Sequence, residues 1–189
     1  MVLLVGKIIV ANPSAAERKM IVETLRKAGN QVVAETSDMG NTFRRARSLF
    51  CDLVIVDNEL EGGTGLKTAT IIEEDQLAAV LLLVNSDSDP HAKRFHYLIK
   101  PLHDYTLIPA VESALLFWSR QSELQARIRR LEDKLETRKM ADKAKGILMQ
   151  KLNLSENEAH RFIQKEAMQR GATLRQVAAE IIAKWAPKG

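Results

Sequence analysis

The stretch DLVIVD, residues 52–57, decides how the front of the chain folds. Its interior is apolar without interruption, and three of those four residues are β-branched. A strand with one wet face alternates polar and apolar side chains, so an unbroken run reads as a strand buried on both faces. Burial on both faces calls for helices above and below, and therefore for a parallel sheet. Working outward, the same pattern repeats. KIIVA (7–11), QVVAE (31–35), AAVLLLV (78–84) and YLI (97–99) read as four further strands. Helical patterns separate them: AAERKMIVETLRKAG, opened at Pro13 and Ser14 and closed by Gly29; residues 40–50; and residues near 65–74, after the turn EGGTG. The expected class for residues 1–117 is an α/β doubly wound parallel five-stranded sheet.

Composition bounds what this chain can be. Its 189 residues have room for one ordinary domain and a smaller unit, and 46% apolar with 28% charged residues is globular rather than disordered composition. No run reaches the ~18 apolar residues that span a bilayer, and MVLLVGKIIVA lacks the pattern of a signal peptide, so a cytoplasmic protein without membrane partners is expected. Cys51 is the only cysteine, which excludes an internal disulfide and a cysteine-based metal cluster; its setting in LFCDLVIVD suggests a small buried side chain. The net charge of +4 is unevenly spread. Residues 1–117 hold 12 Lys/Arg against 15 Asp/Glu, whereas residues 118–189 hold 16 against 9. The basic rear third makes a polyanion a candidate partner.

A helix begins at Asp104 and meets no Gly or Pro between residues 110 and 145. Within it Phe117, Leu124, Ile128, Leu131 and Leu135 follow the spacing of a coiled-coil seam, interrupted at Gln121 and Arg138. Residues 118–137 are therefore expected to form a coiled-coil linker. A homodimer through that coil is expected, with folding back on the same chain as the alternative. Three helical segments follow, at 138–152, 155–170 and 173–185. Ser155 with Glu158 forms a capping box, Gly171 ends the middle segment, and Thr173 caps the last. Residues 138–189 are expected to form a small all-α three-helix bundle.

Gly146 lies inside one of these helices, where glycine costs about 1 kcal/mol relative to alanine. On a helical wheel Lys139, Lys143, Gly146 and Gln150 fall on one stripe, beside an apolar face made by Met140, Ala144, Ile147 and Leu148. Two explanations fit the missing side chain: close approach of a phosphate backbone or base between lysines, or tight packing of a neighbouring helix.

Residues 138–182 resemble an ANTAR domain, an RNA-binding antitermination module. The matching features are AKGILM (144–149), Ser155 and Glu158-Ala159, Phe162, Ala167-Met168, and Leu174 with Val177-Ala178. The resemblance implies recognition of paired RNA hairpins in nascent messenger RNA, which stabilises an antiterminator. It makes Lys139, Lys143, Lys145, Gly146, Gln150 and Arg161 the candidate RNA-binding residues, with Arg138, Lys151, Lys165 and Arg175 as electrostatic support. Phe162 is expected on the apolar side of its helix and Trp185 at the end of the bundle, so base stacking on an aromatic platform is not expected.

The order of elements in residues 7–117 resembles the receiver domain of response regulators. Asp57 matches the family's phosphoacceptor, Gly65 its following turn, Tyr97 its aromatic switch position, and Lys100-Pro101 its signature after the last strand. The likeness implies a sensor protein or histidine kinase as partner. Family chemistry also uses an acidic pair after the first strand to hold Mg²⁺. Counted back from Gly29, that pair falls on Asn12 and Pro13. The expected Ser/Thr after the fourth strand is Asn85, with Ser86 next to it, and DSDPHAKRFH is too short for the usual fourth helix. The expectation is a degenerate receiver with no cofactor, which binds Mg²⁺ poorly because the acidic pair is absent and is not switched by ordinary phosphorylation.

An enzyme is disfavoured because His91, His96, His103 and His160 are scattered without a nucleophile at recognisable spacing. The rival readings are a protein-interaction regulator whose receiver-like domain is controlled by a sensor partner, and a DNA-binding regulator reading bases through Arg175, Gln176 and Lys184.

Overall fold

The computed structural model describes residues 5–85 and 94–185. Ser86, His91 and most of DSDPHAKRFH lie outside the described residues, so the expectations placed on them are not addressed by the structure. The chain divides into two compact units, Met1–Ser122 and Glu123–Gly189.

The first unit is a five-stranded parallel sheet in the order β2-β1-β3-β4-β5. Its strands are β1 Lys7–Ala11, β2 Gln31–Thr36, β3 Leu53–Asp57, β4 Ala79–Val84 and β5 His96–Ile99. Every residue of β3 and β4 is buried, as the unbroken apolar runs require. Helices α1 Ala15–Lys27, α2 Met39–Leu49 and α3 Gly65–Glu74 connect the strands. Alternate strand residues feed two separate cores. Ile8, Val10, Leu53, Ile55, Leu81 and Leu83 pack with α1 and with Leu107, Val111 and Leu115 of the long helix that begins at Asp104. Ile9, Val54, Val56, Leu82 and Val84 pack on the other face with Ala46, Ala69 and Ile72.

Each connecting helix opens on a side-chain cap. Ser14, Asp38 and Thr64 accept from the backbone N–H of Glu17, Asn41 and Lys67 respectively. These caps fix where each helix begins, which places its first turn at the carboxyl ends of the strands. Chain reversal at the topological break between β1 and β3 makes that edge the site-bearing one.

Helix α4 runs from Asp104 to Leu152 without a break. Leu107, Val111 and Leu115 belong to the first core, and Ala144 and Leu148 to the core of the second unit. Between them Leu124, Ile128, Leu131 and Leu135 are 53–60% exposed. In the second unit α4 packs with α5 Glu156–Arg170 and α6 Leu174–Trp185 around Ala144, Leu148, Ala159, Ile163, Val177, Ala178 and Ile181. The Ser155–Glu158 capping box forms, Gly171 closes α5, and Thr173 receives the N–H of Gln176 at 3.2 Å. Phe162 departs from its expected place: it is 36% exposed, because Ala159, Ile163 and Ala167 take the inner line of α5.

Candidate functional site

Two arrangements carry the residues singled out by sequence. The first lies at the carboxyl end of β3. The Asp57 side chain is buried, and each of its oxygens is engaged. Oδ1 accepts the backbone N–H of Glu59 at 2.8 Å. Oδ2 accepts from Asn12 Nδ2 at 2.8 Å and pairs with the Lys100 ammonium. Asn12, at the end of β1 and fully buried, gives the same Nδ2 to Glu17 Oε2 at 2.8 Å, and its Oδ1 accepts the N–H of Ser14 at 2.8 Å. Lys100 closes the ring by reaching Glu17 Oε2 at 3.0 Å. Burial alone would lower the pKa of Lys100, but its hydrogen bonds to Asp57 and Glu17 prevail and hold it above the ordinary lysine value. Gly65 belongs here for steric reasons. A Cβ at that position would stand 2.1 Å from the Asp57 carbonyl oxygen, so only glycine lets α3 start against the end of β3. Asn85 lies off this ring and donates to Glu59 Oε1 at 2.7 Å.

Glu17 is the member that sequence reading missed. It carries no motif, and only the Ser14 cap and the packing of α1 bring its carboxylate to the end of β3. The residues present do not fit the Mg²⁺ that the receiver likeness implies. Asn12 has spent its oxygen on Ser14, Pro13 offers none, and an ammonium already bridges the two carboxylates. Among the described residues no group of three or more His, Cys, Asp or Glu is placed to hold a metal.

The second arrangement is on α4 and α5. Ala144 and Leu148 mark the buried line of α4. Gly146, two residues from Ala144, is turned about 200° from it at ~100° per residue, so the stripe faces away from α5 and α6. Lys139, Lys143 and Gln150 are exposed along it. Beyond its two chain neighbours and the backbone of its own helical turns, a Cβ added at Gly146 meets no atom within 4 Å among the described residues. Among the described residues, no neighbouring helix packs against this glycine.

Lys145 is placed differently. It points off the stripe, with its Nζ 2.9 Å from Asp142 Oδ1 and 2.9 Å from Glu156 Oε1, and its side chain is only 16% exposed. Its hydrogen bonds to Glu156 and then Asp142 raise its pKa, while Lys145 lowers that of Asp142. Arg138 lies 4.0 Å from Asp142, Lys139 3.4 Å from Glu136, and Arg175 3.6 Å from Asp133. Lys143, Lys151, Arg161 and Lys165 are exposed and make no ion pair among the described residues. Arg161 sits on α5, outside the Gly146 stripe.

Known proteins share both halves of the chain. A protein-family model for the ANTAR domain matches residues 129–182. The transcriptional regulatory protein PdtaR of Mycobacterium tuberculosis is 30% identical over 182 residues, covering 93% of this chain and 89% of that protein. The aliphatic amidase regulator of Pseudomonas aeruginosa is 25% identical over 123 residues, covering 65% of this chain and 60% of that one. Among solved structures, the signal receiver domain of a modulated diguanylate cyclase from Desulfovibrio desulfuricans aligns with TM-score 0.57 and 20% identity, covering 62% of this chain and 99% of that domain. The receiver domain of the response regulator NarL from Mycobacterium tuberculosis aligns with TM-score 0.55 and 18% identity, covering 59% and 96%. At these identities the two structures speak for the receiver fold alone.

Proposed function

The chain belongs to the ANTAR-domain response regulators, the family of its mycobacterial relative, and from that premise we propose that it is a transcription antiterminator that binds paired hairpins in nascent messenger RNA. The observation that carries this reading is the open stripe on α4: a mid-helix glycine with free space above it, flanked by exposed Lys139, Lys143 and Gln150. A phosphate backbone can approach the helix there more closely than any side chain permits, with cations alongside. Arg161, Lys151 and Lys165 add electrostatic attraction from the same basic unit. Lys145 holds the start of α5 against α4 through Glu156 and contributes to the surface by fixing its shape.

The front unit acts in this proposal as a receiver that does not use ordinary phosphorylation. Each oxygen of Asp57 is already hydrogen-bonded or ion-paired, and the residues for Mg²⁺ are missing. Control then falls to a protein partner of the sensor class, and the rival reading of a protein-interaction regulator becomes part of the same account. The exposed seam Leu124–Ile128–Leu131–Leu135 supports a homodimer through α4. The DNA-reading alternative is weakened, because Arg175 is paired with Asp133 and Gln176 accepts the Thr173 N–H at 2.8 Å. Among the described residues no helix is long and apolar enough to cross a membrane.

The test is binding of two-hairpin RNAs against duplex DNA of matched length, titrated with salt. The proposal expects a preference for the RNA and an affinity that falls with salt; equal binding to duplex DNA would overturn it.

A further inference from the structure

The ring at the end of β3 does more than lack a metal. Four polar groups from four segments close on one another: Asp57 from β3, Asn12 from the end of β1, Glu17 from the first turn of α1, and Lys100 after β5. Asp57 Oδ2 and Glu17 Oε2 each receive both the Asn12 amide and the Lys100 ammonium. The orientation of that amide is fixed by its third partner. Its oxygen takes the N–H of Ser14, so its nitrogen must face the carboxylates.

We propose that Lys100 is the built-in counter-cation of this site, held in place by Glu17, and that it excludes divalent cations from the Asp57 carboxylate. The proposal rests on the receiver-like reading of the front unit and is independent of RNA binding. Two carboxylates this close repel unless a positive group lies between them. Here an ammonium supplies that charge, and the second acid comes from α1 instead of from the end of β1. The side chains of Lys100 and Glu17 are 18% and 22% exposed, so water reaches both. An ion therefore has a path to the carboxylates, and the ammonium is what bars it. Removing the ammonium leaves Glu17 and Asp57 as a pair of carboxylates in need of a cation, with oxygen ligands suited to Mg²⁺ or Mn²⁺.

The experiment uses the full chain and measures Mg²⁺ binding by calorimetry and Mn²⁺ binding by electron paramagnetic resonance, on the wild type, Lys100→Met, and Lys100→Met combined with Glu17→Gln. The expected result is no saturable binding to the wild type, saturable binding to Lys100→Met at least about tenfold tighter than any wild-type signal, and loss of most of that gain in the double variant. Saturable binding to the wild type equal to that of Lys100→Met overturns the proposal, as does a folded Lys100→Met that gains none. Should Lys100→Met fail to fold, the ¹⁵N resonance of the Lys100 ammonium in the wild type decides the matter. It is expected to stay in place when Mg²⁺ is added, and its displacement by Mg²⁺ would contradict the assignment.

Discussion

Gly146 and Lys145 are neighbours in sequence with opposite fates in the fold, and their contrast shows what one residue contributes. A substitution of Gly146 by alanine removes backbone freedom from the unfolded chain and enters open space. Gly146→Ala is therefore expected to stabilise the rear unit by about 0.5–1 kcal/mol, measured by chemical denaturation. A loss of stability would mean that something packs there after all. Lys100 is the second decisive residue. Replacing it with alanine leaves the buried Asp57 carboxylate without its cation, and is expected to cost about 3 kcal/mol in the front unit. A change below ~0.5 kcal/mol would show that water screens the pair as it screens surface ion pairs. Asp57, Asn12 and Lys100 were picked out in sequence through the receiver resemblance, which assigns a role to each of these positions at or just after a strand end. Glu17 was not, since a glutamate in a first helical turn ordinarily reads as a favourable charge at the positive end of the helix dipole. The pairing of Lys145 with Glu156 was equally hidden, because it spans the turn between two helices.

At the scale of elements, the strands and helices followed from local signals. Unbroken apolar runs gave β3 and β4, and Ser14, Ser155 and Thr173 marked helix starts. Phe50 shows where such signals stop. It ends α2 in the left-handed conformation with φ 46° and is exposed, where pattern alone would favour glycine. The continuity of helix α4 was readable between residues 110 and 145, where no Gly or Pro occurs; that residues 138–152 continue the same helix instead of starting a new one was not. The seam on α4 carries a prediction of its own. Ile128→Asp with Leu131→Asp is expected to convert a dimer to a monomer in sedimentation equilibrium while far-ultraviolet circular dichroism holds. A monomeric wild type would remove the coil from the account. The capping box yields a pH dependence. Hydrogen bonds from Ser155 lower the pKa of Glu158, and those from Lys145 lower that of Asp142. For a lowered carboxylate the stability is complete above its ordinary value, here 4.5 and 3.8, and is lost as pH falls through the depressed one. The melting temperature of the rear unit is thus expected to be flat near neutrality and to decline below about pH 4.5.

For the whole molecule, one chain joins a sheet domain whose Asp57 carboxylate is held in an internal ring to a basic helical unit with an open stripe. In the sequence, chain length and the uneven spread of charge were the signals for two units. What the pattern left open was whether the glycine served packing or a ligand, because helical periodicity gives the direction of a side chain but not what lies beyond it. The most direct measurement pairs RNA affinity with melting temperature for Gly146→Gln in the full chain. The account predicts melting at or above that of the wild type, since the added side chain enters open space, together with a loss of at least about tenfold in affinity for a two-hairpin RNA. Unchanged RNA affinity in a normally folded Gly146→Gln protein would contradict it.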